Sequence, residues 1–235
     1  MTVDWNRKSL VDEYVQTPRD HTKNWYEREV NIPALLRMLP KSPARVMDFG
    51  CGPGDFSAVL ARSYDVVAAD ESERMLGVAR ALYPDLEFLN WDGLLPFPQA
   101  ASVGVFDAVV AKLSLEFVPD LSQLGAQFRA LVRPGGTFVF SVQHPLLVIV
   151  SHPDEVIPYW DMKPFDVRVG SGGSTVTKIH RNLAQYLDPF LENGFSLVHV
   201  NEPEIPDNAA KAYQVDPKHF RVPKRLNVAF RLLDN

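Results

Sequence analysis

The chain has 235 residues, 46% of them hydrophobic and 23% charged, with 13 Gly, 19 Pro and a single Cys. That composition describes one globular domain with room for a real core and excludes a disordered or collagen-like chain. A formal net charge of −5 argues against a sequence-independent nucleic-acid binder, which neutralises phosphates with clustered Lys and Arg.

One cysteine forms no internal disulfide, and Cys51 has no Cys or His neighbours at zinc-ligand spacing. Met1-Thr2-Val3-Asp4-Trp5 lacks a basic region followed by an apolar one, and the longest apolar run, Leu146 to Val150, is too short to span a bilayer. The expectation is a soluble cytoplasmic protein without a membrane partner.

Residues 24 to 39 place Trp25, Tyr26, Val30, Ala34, Leu35, Leu36 and Leu39 at three- and four-residue steps, predicting an amphipathic helix that Pro33 divides and Pro40, Ser42 and Pro43 end. Arg45 to Phe49 reads as a short apolar strand and Gly50-Cys51-Gly52-Pro53-Gly54 as the turn leaving it. The alternation then repeats: a helix over 55–63, a strand over 65–70, a helix over 72–83 with Ser72 as N-cap, strands over 86–91 and 106–113, a helix over 119–132, and a strand over 137–143 entered through Pro134-Gly135-Gly136. Strands separated by helices predict a parallel, doubly wound sheet.

After Gln143 the rhythm changes. Residues 145 to 178 carry prolines, the aromatics Tyr159, Trp160 and Phe165, and a Gly/Ser stretch, and read as an excursion over the sheet, either a substrate cap or a variable surface loop. A helix over 183–192, interrupted at Pro189 with Asp188 available to restart it, runs into Asn193-Gly194; strands over 195–200 and 226–232 close the chain.

The sharpest signal is the glycine turn. Glycine at every second position lets the chain turn and lets a ligand lie against backbone, while the next helix offers unpaired N–H groups. A dinucleotide fingerprint wants a third glycine where this chain has Asp55, and an anion there repels a pyrophosphate. A ligand without phosphates, carrying a positive sulfonium, suffers no such repulsion. Asp70, at the end of the second strand, is placed to accept ribose hydroxyls, or else to cap the following helix. Met75 packs on an adenine face or in plain core; Asp92 accepts the adenine amino group, beside Gly93, or is a solvated loop acid.

Together these segments resemble the class I S-adenosylmethionine-dependent methyltransferases, particularly the small-molecule ubiquinone and menaquinone type. The resemblance runs from the turn at 48–54 through Asp70-Glu71-Ser72-Glu73-Arg74-Met75, Asn90-Trp91-Asp92-Gly93, Phe106-Asp107-Ala108-Val109-Val110 and Leu131-Val132-Arg133-Pro134-Gly135-Gly136 to the strand ending near Ser141. It implies an α/β, Rossmann-like, seven-stranded sheet with an antiparallel last strand. It implies S-adenosylmethionine as cofactor, with Gly50, Gly52 and Gly54 along the methionine tail, Asp70 at the ribose, Met75, Asp92 and Gly93 around adenine, Asp48 at the amino-acid end, and Lys112 and Leu113 bordering it. Tyr26 resembles an N-terminal aromatic that closes over the cofactor. The expected organisation is a single domain: a helical lid over 1–43, a cofactor-binding core over 44–143, a cap over 144–182, and a closing helix and strands over 183–235.

Methyl transfer from a sulfonium is an in-line displacement, driven largely by positioning and exclusion of water, and it needs a base only when the nucleophile must lose a proton. No Asn/Asp-Pro-Pro-aromatic segment follows the fourth strand, which disfavours base methylation of nucleic acid, and no metal-binding acid set is evident. His144 and His180 are the candidate bases; Glu116, Phe117, Tyr159 and Trp160 are the candidate substrate contacts, for an aromatic or heterocyclic small molecule accepting methyl on O, N or C. A monomer or homodimer is expected. An NAD(P)-dependent oxidoreductase, a non-catalytic cofactor-binding homologue and an aminopropyl transferase are the competing classes.

Overall fold

The computed structural model describes residues 5–16, 24–97, 106–151, 158–169, 173–214 and 222–233. Its strands are β1 (Arg45–Phe49), β2 (Asp65–Asp70), β3 (Glu87–Asn90), β4 (Phe106–Lys112), β5 (Val132–Gln143), β6 (Lys163–Val169), β7 (Ser174–His180), β8 (Phe195–Asn201) and β9 (Arg225–Leu232). Its helices are α1 (Lys8–Gln16), α2 (Ile32–Leu36), α3 (Asp55–Leu60), α4 (Glu73–Leu82), α5 (Leu121–Leu131), α6 (Pro145–Ser151), α7 (Leu183–Glu192) and α8 (Asp207–Ala212).

Seven strands form one sheet in the order β3-β2-β1-β4-β5-β9-β8. The pairs from β3 to β5 are parallel, whereas β9 lies between β5 and β8 and is antiparallel to both. The expected seven-stranded sheet with an antiparallel last strand is therefore the observed one. Alternation within β1 sends Met47 and Phe49 to one core cluster and Val46 to another, so both faces of the strand are covered. On the first face, Phe128, Phe138, Phe140, Phe190 and Phe230 are all fully buried, each contributing about 1.5–3 kcal/mol.

Strand order reverses between β1 and β4, where neighbouring connections leave in opposite directions and open a crevice at the carboxyl ends. Local chemistry fixes the helix starts around it. Ser72 accepts from Met75 N at 3.1 Å, Asp120 caps α5 through Gln123 N at 2.9 Å, and Asn182 with Gln185 forms a reciprocal capping box on α7.

Several elements differ from expectation. The 24–39 helix comprises a π-helical turn, Glu27–Asn31, running into α2, with Pro33 in the first turn of α2, where its missing N–H costs nothing. Helix α7 is continuous through Pro189 and starts at Asn182, so Asp188 restarts nothing. Strand β5 begins at Val132: the 133–136 residues bulge out between the pairs Phe106–Val132 and Ala108–Thr137. The described part of 145–178 is α6 and the antiparallel hairpin β6–β7. Helix α1, which the periodicity reading omits, is anchored by fully buried Leu10 and Val11.

Candidate active site

A cavity of about 270 Å³ opens at the carboxyl ends of β1, β2 and β4. Its floor is the glycine turn, where three glycines with positive φ serve different purposes. A Cβ on Gly50 would lie 2.3 Å from Ser114 Cβ, and one on Gly54 would lie 3.1 Å from the Phe88 and Tyr83 rings, so these two let protein pack on protein. A Cβ on Gly52 would meet nothing within 4 Å. Gly52, and Gly50 through its backbone, line the cavity; Gly54 is the left-handed N-cap of α3 and does not.

Asp70 faces the same space. Its Oδ2 accepts from Gly52 N at 2.8 Å and its Oδ1 from Ser72 N at 2.9 Å, which ties the turn to the start of α4. Burial raises the Asp70 pKa and the two N–H donors oppose the rise. Each oxygen keeps a lone pair for a ribose hydroxyl. Asp92 Oδ1 accepts from Leu94 N and Leu95 N, both at 2.9 Å, which leaves the other oxygen to a ligand. Met75 and Leu113 also line the cavity. Leu113 holds φ at 59°, a conformation rare outside glycine and concentrated at functional sites, and donates to Ser141 O at 2.7 Å.

The roof is aromatic. Trp5 makes edge contacts with Tyr14 and with Phe117, each at 5.2 Å between centroids. The Tyr14 hydroxyl is pushed up to about 12, first by burial and then by Asp70, Glu27, Glu116 and Asp55, so it stays a donor at neutral pH. Helix α1 is held over the site by Ser72 Oγ donating to Trp5 O at 2.7 Å and Arg74 Nε donating to Asn6 O at 2.7 Å.

The structure corrects several expectations. Tyr26 does not line the cavity: its hydroxyl donates to Pro203 O at 3.0 Å and its ring lies under Lys224. Trp5 and Tyr14 occupy the place assigned to it, and the spacing of Leu10, Val11 and Tyr14 was the signal for that helix. Asp48 lies behind the turn, 1% exposed, accepting from Ser57 Oγ at 2.6 Å; burial raises its pKa to about 6. Gly93 is a packing glycine, since a Cβ there would lie 2.5 Å from Leu124 Cδ1. Lys112 sets its ammonium over the Phe56 ring at 5.6 Å.

Neither histidine reaches the cavity. His144 Nδ1 accepts from Leu146 N at 3.2 Å at the start of α6, so its other nitrogen carries the proton and donates to Glu202 Oε1 at 2.8 Å. His180 Nε2 lies 3.3 Å from Tyr159 O, and burial lowers its pKa. Of the expected substrate contacts, Phe117 lines the cavity, Glu116 turns away from it, the Tyr159 hydroxyl accepts from Leu183 N at 3.4 Å, and Trp160 is 77% exposed.

Beside the turn, buried Glu27 pairs with Arg225 through Nε at 2.8 Å and Nη2 at 2.6 Å and accepts from Asn31 Nδ2 at 2.8 Å. Burial alone would raise its pKa, but Arg225, Lys112 and Asn31 outweigh burial and hold the carboxyl below its usual range. Asn31 also bonds Ser141 and Asn227, fastening the π-helical turn to β5 and β9.

Charge decides which nucleotide fits. Asp70, Glu71 and Asp92 line the cavity, with no Lys, Arg or His among the described lining residues. A pyrophosphate would face uncompensated carboxylates, whereas a sulfonium cation is stabilised by them. Gly52, Asp70 and Asp92 therefore suit an adenosine with a cationic tail. No group of three His, Cys, Asp or Glu able to hold a metal occurs among the described residues, and no described helix is long and apolar enough to cross a membrane.

Comparison with known proteins agrees with this geometry. Residues 47–140 match the methyltransferase domain family model. A trans-aconitate 2-methyltransferase of Variovorax paradoxus is 38% identical over 126 residues, 51% of this chain and 47% of that protein, so the chain spans about half the length of the curated relatives it matches. An S-adenosylmethionine-dependent methyltransferase of Mesorhizobium loti superposes with TM-score 0.67 at 27% identity, covering 85% of this chain and 96% of the other. A Listeria monocytogenes structure superposes with TM-score 0.70 at 24% identity over 86% and 96%, a likeness of fold.

Proposed function

We propose, for a chain that carries a class I S-adenosylmethionine-dependent methyltransferase domain with S-adenosylmethionine as its cofactor, that it transfers the methyl group to an O, N or C nucleophile of a small molecule. The observation that carries this reading is the acid-lined cavity with an open backbone cradle at Gly52 and a paired carboxylate at Asp70. When bound, the cofactor supplies an activated methyl group. Asp70 fixes the ribose, Asp92 and Met75 border the adenine, Gly50 and Gly52 admit the tail, and the Leu113 backbone borders its end. Trp5, Tyr14 and Phe117 exclude water and hold the acceptor in line. Residues 44–143 act as the cofactor core, 1–43 as a lid, 144–182 as the acceptor-side cap, and 183–235 as the closing part of one domain.

The Variovorax relative's name favours a second reading, in which a carboxylate oxygen of a polycarboxylate such as trans-aconitate is esterified and no base is needed. Calorimetric titration with S-adenosylhomocysteine and with NADH tests the cofactor: binding of NADH alone would return the chain to the oxidoreductases. Methyl-labelled cofactor with a panel of polycarboxylates, phenols, indoles and amines, read by mass spectrometry, tests the acceptor.

A further inference from the structure

The segment 114–119 is shared by two spaces. Ser114, Phe117, Val118 and Pro119 face the cofactor cavity, while Glu116 faces a crevice under the β6–β7 hairpin, bordered also by Gln143, Phe165, His180, Arg181 and Tyr186. Glu116 is 2% exposed and His180 1%. Each presents one buried atom with no hydrogen-bond partner among the described residues, Glu116 Oε2 and His180 Nδ1.

Both orphaned atoms are acceptors. The Tyr159 carbonyl opposite His180 Nε2 can only accept, so Nε2 carries the ring proton and Nδ1 a lone pair. The Glu116 carboxylate already accepts from Gln143 N at 2.9 Å through Oε1, and Oε2 has only lone pairs to offer. Nearby cations are engaged. Lys178 Nζ lies 3.7 Å from Glu116 Oε1 and over the Phe117 ring, and Arg181 donates to the carbonyls of Leu115, Val118 and Pro119. On the other side of the 114–119 segment, the described charged lining is carboxylate only.

We infer that this crevice is an acceptor-recognition pocket, and that the acceptor enters it through a head bearing polar hydrogens, a neutral or cationic amine or hydroxyl group, held by Glu116 Oε2 and His180 Nδ1. The inference rests on the methyltransferase reading above and narrows its substrate class: a polycarboxylate offers only further lone pairs to these atoms. Entry requires the hairpin wall and the 114–119 segment to part. In the transfer, the methyl–sulfur bond breaks with its electron pair staying on sulfur. The acceptor's lone pair forms the new bond to carbon, and the displaced proton leaves to solvent.

The test uses the full chain as wild type, Glu116→Gln, His180→Phe and His180→Asn, the last keeping an acceptor near the Nδ1 position. S-adenosylhomocysteine affinity is read by calorimetry. Turnover of tyramine, dopamine, catechol and an amino alcohol is read against trans-aconitate and citrate with methyl-labelled cofactor. The expected result is methylation among the donor-bearing probes, with KM raised about ten-fold or more by Glu116→Gln and His180→Phe. S-adenosylhomocysteine affinity stays near wild type, and His180→Asn restores most of the loss. Methylation confined to the polycarboxylates, no methylation of any donor-bearing probe, or an unchanged KM in both variants overturns the inference while cofactor binding stands. Wild type that fails to bind S-adenosylhomocysteine overturns the methyltransferase reading, and this inference with it.

Discussion

Gly50 and Gly52 are two residues apart, both have positive φ, and the structure assigns them opposite sensitivities. An alanine at either position takes on a left-handed backbone, costing roughly 1–2 kcal/mol. At Gly50 the added Cβ also collides at 2.3 Å with Ser114 Cβ, whose backbone belongs to the β4 loop and does not swing aside. Overpacking of that kind adds roughly 1–3 kcal/mol, for a total of about 2–5. In a chain of this size each kcal/mol moves Tm by roughly 2–4 °C, so Gly50→Ala is expected to melt about 4–20 °C below wild type. At Gly52 the Cβ meets no atom of the described residues within 4 Å, and only the backbone cost, about 2–8 °C, applies. Its methyl group instead projects into the cofactor cavity. Gly52→Ala is therefore expected to lose ten-fold or more in S-adenosylhomocysteine affinity (about 1.4 kcal/mol) while remaining folded. Differential scanning fluorimetry gives the melting temperatures and calorimetry the affinities. Wild-type affinity in Gly52→Ala would remove Gly52 from the cradle, and equal melting of the two variants would refute the steric argument.

Three further outcomes follow from the geometry. Asp48 has a folded pKa of about 6 against 3.8 ordinarily, so the folded state holds a proton that the unfolded state releases between these values. Its contribution thus falls as pH rises from about 4 to 6, reaching about 3 kcal/mol of destabilisation above pH 6. Asp48→Asn, able to keep the Ser57 bond, should gain stability over wild type at pH 7 and not at pH 4 in urea unfolding; equal differences at both pH values would contradict this. Asp70→Asn has one acceptor oxygen for the two N–H groups of Gly52 and Ser72, and S-adenosylhomocysteine affinity should drop about ten- to a hundred-fold by calorimetry. His144→Ala loses the bonds to Glu202 and Leu146, and should lower Tm while leaving the shape of the turnover pH profile intact. A changed profile would return His144 to the chemistry.

The sheet was legible because its signals are local. Period-two apolar runs, N-caps such as Ser72, and glycines at turns each report on a few neighbouring bonds, and Val46 to Gly54 combines all that a strand and its exit turn require. Helix α1 went unread, although Leu10, Val11 and Tyr14 carry its spacing. Asp70, Asp92, Gly50, Gly52 and Leu113 line the cavity because a residue just past the carboxyl end of a parallel strand lies there whatever the rest of the chain does, and Met75 and Phe117 line it from the turns that follow. The histidines do not, for the same reason inverted. Position beside a strand end does not tell which way a side chain turns, and His144 is claimed by Glu202, 58 residues away.

The sequence by itself determined the α/β sheet, the glycine turn and the acids that follow β2 and β3, and its resemblance to the methyltransferases implied the cofactor. Those features depend on backbone φ, on strand alternation and on charge, all fixed by residue type and near neighbours. Only the tertiary structure decided that Gly52 is the open glycine while Gly50 and Gly54 are packing ones. It also decided that Trp5 and Tyr14 form the roof instead of Tyr26, and that Glu116 and His180 share a crevice. Each depends on where distant segments come to rest, Ser114 against Gly50, Pro203 against Tyr26, the β6–β7 hairpin against 114–119, and no local pattern encodes those meetings.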